Sequence, residues 1–132
     1  MLPQKNIKIL DANIILRFLM KDNAEMAAEA IEIIKENNVL VTMEVAAEVV
    51  FVMQKVYKAT RKDIHHMIMC FVNISNVEVS DYLVLSKGLE IFRDNNLDFV
   101  DCILCAYNLC RGYEVCTFDV KLGKLIDNFN KK

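Results

Sequence analysis

Lys8-Ile9-Leu10-Asp11-Ala12-Asn13-Ile14-Ile15-Leu16-Arg17 decides how this chain is read. A short apolar run of strand character ends at an aspartate and turns at once into an apolar segment of helical spacing. An acid at that junction stands where a parallel strand delivers its C-terminal end, the usual ligand crevice of an open α/β sheet. Glu48, Asp101 and Asp119 are expected to reach the same place. The chain is therefore read as built to hold four carboxylates around a divalent cation.

The same alternation continues outward from that stretch. Strands are expected over Ile7 to Leu10, Val39 to Thr42, Val77 to Val79 and Glu114 to Thr117, the first of them central. Helices are expected over Asn13 to Met20, Ala24 to Glu36, Met43 to Lys58, Thr60 to about Phe71, Tyr82 to Asp94, Phe99 to Arg111 and Val120 to Phe129. On the third helix Val45, Val49, Val52 and Val56 define a buried stripe, widened by Phe51 and Met53, with Glu48 at its border. The helix from Phe99 is apolar almost all round and should be buried, with Gly112 as its C-cap. Met1 to Asn6 and Asn130 to Lys132 read as a polar lead-in and a frayed tail. Strands alternating with helices predict a three-layer α/β/α sandwich on a mostly parallel four-stranded sheet, in a single domain over 1–132.

Composition narrows the function. Only 3 glycines and 1 proline argue against an all-β fold of many tight turns. A formal net charge of −2 excludes nucleic-acid binding by bulk positive charge, though not by a local basic rim and a bound metal. Five cysteines, an odd count in apolar surroundings, read as reduced buried thiols of a cytoplasmic protein. Cys102-Ile-Leu-Cys105 has no second C-x-x-C to complete a zinc site. No stretch reads as a secretory leader or membrane span, since Ile7 to Met20 is broken by Asp11, Asn13 and Arg17.

Each acid has a plain structural reading beside the functional one. Asp11 and Asp98 suit helix N-caps, Asp119 a turn, and Glu48 the solvated flank of an amphipathic helix. Asp101 is the sharpest case: it lies among Val100, Cys102, Ile103 and Leu104, with no basic residue within a turn. An ionised carboxylate there is costly unless paired or metal-bound. A carboxylate cluster needs cations to stay ionised at pH 7, and oxygen-only donors select Mg²⁺ or Mn²⁺. Such a site suits in-line displacement at phosphorus. Glycines at 88, 112 and 123 form no phosphate-cradling loop. Arg17, Lys21, Lys121 and Lys124 are candidate contacts to RNA phosphates, or simply surface cations. His65 and His66 are neighbours on a helix and point apart, which suits a surface role.

Four segments together resemble the PIN-domain nucleases, and within them the VapC-type toxins of toxin–antitoxin pairs. They are Leu10 to Arg17, Val45-Ala46-Ala47-Glu48-Val49-Val50, Leu97-Asp98-Phe99-Val100-Asp101 and Thr117-Phe118-Asp119-Val120-Lys121-Leu122, in the family's order. The resemblance implies a Mg²⁺- or Mn²⁺-dependent endoribonuclease with Asp11, Glu48, Asp101 and Asp119 as metal ligands and catalytic acids. Asn13 and Thr117 would be polar supports and Asp98 an extra acid. It also implies a homodimer and a cognate antitoxin lying across the site. Many members carry a further strand after the Thr-Phe-Asp segment, which here would be a fifth. The competing reading is an interaction module of the same fold with an unused metal site.

Overall fold

The computed structural model describes residues 7–131. The expected lead-in, residues 1–6, and the last residue of the expected tail lie outside them. The chain divides into two compact units, Met1–Asp81 and Tyr82–Lys132.

The first unit carries the sheet. Its elements are β1 (Ile7–Ile9), α1 (Ala12–Met20), α2 (Ala24–Glu36), β2 (Asn38–Val41), α3 (Met43–Lys55), α4 (Arg61–Val72) and β3 (Val77–Val79). The strands are all parallel, in the order β1-β2-β3, with Lys8 opposite Val39 and Leu40 opposite Glu78. Parallel neighbours need crossover connections, and helix pairs supply both of them. Each helix starts where a short polar side chain takes up an orphan backbone N–H. Asp11 accepts from Ile14 N at 3.0 Å, Asn23 from Met26 N at 2.9 Å, Thr42 from Val45 N at 3.3 Å and Thr60 from Asp63 N at 3.1 Å. Lys21 ends α1 in the left-handed region, φ 51°, its N–H bonded to Arg17 O.

Two expectations change in this unit. β1 is an edge of the three-stranded sheet and not its centre, and Lys8 and Ile9 are exposed; the buried strand is β2, through Val39 and Val41. On α3 the buried face is Ala46, Val49, Val50 and Met53, while Phe51 and Val56 face out. The helix is thus rotated from the valine stripe, with Ala46 and Val50 on its buried face in place of Val52 and Val56. Ile15, Val41, Ala46, Val49, Ile68 and Phe71 all line one small apolar hollow there. Glu48 is therefore exposed, on the side away from Ala46 and Val50.

The second unit is three helices, α5 (Tyr82–Asp94), α6 (Phe99–Arg111) and α7 (Val120–Asn130). α5 packs on α6 through Val84, Leu85, Leu89 and Phe92 against Phe99, Cys102, Cys105 and Ala106, all buried. Phe92 and Phe99 meet edge to face at 5.6 Å. The helices approach closely at Gly88, where a Cβ would run into the Ile103 side chain. α6 is amphipathic and not buried all round: Val100 and Leu104 are exposed. Gly112 ends it as expected, at φ 72° with its N–H on Asn108 O. The expected strand over Glu114 to Thr117 forms no ladder, so the described sheet has three strands and neither a fourth nor a fifth.

Candidate metal centre

Asp11 and Glu48 belong to the first unit. Asp11 follows β1, whose end is held by the Leu10 N–H on Leu40 O at 3.1 Å, and its Oδ1 caps α1. Glu48 is on the second turn of α3, the helix that follows β2. Both acids are thus carried at the C-terminal ends of adjacent parallel strands, where the helix N-termini also present their positive ends. Asn13 is exposed in the first turn of α1.

Asp98, Asp101 and Asp119 belong to the second unit. Asp98 occupies the N-cap position of α6 but makes no side-chain capping bond, so the capping role read from its position is not made. Asp101, in the first turn of α6, is half-buried. Burial first, then the charge of Asp119, then that of Asp98, push its carboxyl above the usual range. Asp119 caps α7, accepting from Leu122 N at 2.9 Å. Its own N–H donates to Thr117 Oγ1 at 2.9 Å, which ties the aspartate to the polar residue two places before it.

Among the described residues, no three His, Cys, Asp or Glu side chains are gathered closely enough to hold a metal ion. Asp98, Asp101 and Asp119 of the second unit are all carboxylates, the donor type that a hard cation takes. The cation contacts expected of the first unit are less open. Arg17 donates from Nη1 to Asp22 at 3.0 Å, and Asp22 also accepts from the Tyr57 hydroxyl at 2.8 Å. The Arg17 Nε is buried with no hydrogen-bond partner among the described residues. The bond from Tyr57, and then Arg17, lowers the Asp22 carboxyl below its usual range. Sequence reasoning missed this link, because Asp22 and Tyr57 are 35 positions apart and no local spacing joins them.

A parallel α/β sheet places Asp11 and the helix that carries Glu48 at its C-terminal strand ends, the usual ligand edge of such sheets. The sequence profile of the PIN domain matches residues 8–126, and the chain belongs to the PIN domain family, generally a nuclease fold. No curated protein and no solved structure gave a match. Among the described residues, no helix is long and apolar enough to cross a membrane.

Proposed function

We propose that the chain is a Mg²⁺- or Mn²⁺-dependent endoribonuclease, the VapC-type toxin of a toxin–antitoxin pair, folded as a single domain and acting in the cytoplasm. The observation that carries this reading is the PIN-domain match over residues 8–126, a span that includes Asp11, Glu48, Asp101 and Asp119. Asp11, Glu48, Asp101 and Asp119 would hold the cation, with Asp98 as an additional acid. When bound, the cation supplies positive charge that offsets the charge developing at phosphorus. Thr117 orients Asp119 through the backbone N–H, and the α1 and α7 caps restrict Asp11 and Asp119 to one side of their helix starts. Asn13 would orient the substrate or its water. Arg17 and Lys121 would meet RNA phosphates, Arg17 after exchanging or sharing its bond to Asp22. The partners proposed with this reading are an RNA substrate, a second copy in a homodimer and a cognate antitoxin.

The test is cleavage of RNA by the purified protein with Mn²⁺ and its arrest by EDTA. Asp11→Asn should abolish cleavage with little loss of stability, because Asn caps a helix about as well as Asp. Undiminished cleavage by that variant refutes the assignment. The second reading, an interaction module with an unused site, is favoured by the lack of a gathered triad of ligands. Calorimetric titration separates the two, since the module would take up no Mn²⁺ at millimolar concentration.

A further inference from the structure

The second unit has a cleft of about 200 Å³ between the chain joining α5 to α6 and one face of α7. Lys121, Lys124, Leu125 and Asn128 line its helix side. Their spacing of three, four and seven puts them in one row along α7. Asn96 and Leu97 line the opposite side, and no acid lines the cleft. In a chain of net charge −2, two ammonium groups on one wall without a facing carboxylate are a local concentration of positive charge. The Lys121 ammonium donates to the Asn96 carbonyl oxygen, which anchors it across the cleft while two of its three N–H groups remain to be used. Neither Lys121 nor Lys124 forms an ion pair among the described residues. Leu97 and Leu125 give each wall of the cleft an apolar part, unlike a bare patch of surface lysines.

The same helix begins at Asp119. At 1.5 Å per residue, Lys121 lies about 3 Å and Lys124 about 7.5 Å along the axis from that acid. The row of cations therefore leads away from Asp119 along α7. We propose that this cleft takes a phosphodiester of single-stranded RNA flanking the linkage to be cut, with ribose or base against Leu97 and Leu125. The inference rests on the ribonuclease reading above. The lysines carry charge and no base recognition, so the subsite adds affinity without choosing a sequence.

The test uses the full chain in EDTA, where RNA is bound but not cut, with a labelled single-stranded RNA of mixed sequence read by fluorescence anisotropy. Lys124→Ala should raise Kd several-fold and make the salt dependence shallower by about 0.7 in log–log slope, with a second step of that size in the double variant with Lys121→Ala. Lys124→Arg should restore most of the affinity. Lys62→Ala, at an exposed lysine of the first unit, should leave Kd and slope as they were. Inorganic phosphate added at constant ionic strength should not displace the RNA, and displacement would mark a free-phosphate site and overturn the proposal. Unchanged Kd and slope in the double variant, or equal weakening by Lys62→Ala, also overturns it while wild-type cleavage with Mn²⁺ keeps the ribonuclease reading. A wild-type protein that neither binds nor cuts RNA refutes both. Thermal melts of each variant, unchanged for exposed lysines, show that binding and not folding was altered.

Discussion

Asp101→Asn should make the metal-free protein more stable at neutral pH and the metal-loaded protein less so. Burial and the charges of Asp119 and Asp98 raise the folded-state pKa of Asp101 above its unfolded value. The native state then binds the proton more tightly than the unfolded chain does. Stability must fall as pH rises from the ordinary carboxylate value, about 3.9, through the raised one. The neutral amide does not titrate, so the variant lacks that fall. Above the window the variant is ahead by less than about 1 kcal/mol, because the group is only half-buried and its neighbours are screened by solvent. That is a rise in melting temperature of up to roughly 4 °C for a chain of this size. A cation that binds only the folded form adds about 2.7 kcal/mol to the wild type when present at a hundred times its Kd. The variant, lacking one ligand, should gain much less, and its cleavage should drop by more than about 100-fold. The assay is thermal unfolding of both proteins in EDTA and in Mn²⁺, at pH 4 and pH 7.5. The expected signature is a crossing: variant above wild type in EDTA at pH 7.5, below it in Mn²⁺. A variant less stable than wild type in EDTA at pH 7.5, or equal Mn²⁺ shifts in the two proteins, refutes the reasoning.

Tyr57→Phe removes the hydroxyl that donates to Asp22 and should destabilise the protein modestly at neutral pH. Asp22 is held below the usual carboxylate range, so this contribution is present above that range and lost as pH falls through the depressed value; denaturant melts at pH 7 and pH 2 should show the difference between the proteins shrink at the lower pH. Met53→Ala empties a fully buried position on α3 and should cost about 2–5 kcal/mol in denaturant unfolding. A loss under 1 kcal/mol would mean that α3 does not bury the Ala46–Met53 face. Among the five thiols, exposed Cys70 and Cys116 should react with a thiol reagent in the native protein at pH 8, while buried Cys102 and Cys105 should not. Burial pushes the Cys105 thiol up to about 11, against a smaller opposing effect of Lys87. Titration of free thiol before and after denaturant measures this, and five fast equivalents in the native state would contradict it.

Local rules made much of this protein legible from its residues. Asp11 and Gly112 mark helix ends because a cap acts on backbone groups within three or four residues. The parallel pairing of the first three strands follows from helices long enough to cross over between them. Family membership was legible in four short segments, and the profile match spans them all. What depends on residues far apart in the chain was settled only by the fold. The edge position of β1 and the unladdered run from Glu114 to Thr117 concern pairing, which a strand's own residues do not specify. The rotation of α3, which leaves Glu48 exposed, depends on which of its apolar residues the rest of the first unit covers, and their spacing in sequence does not specify that. The link from Arg17 through Asp22 to Tyr57 depends on where two helices of the first unit meet. Asp101 spans both kinds of information. Its cost in an apolar helix could be read from its neighbours in sequence, but the aspartate that most raises its pKa after burial, Asp119, comes from the next helix.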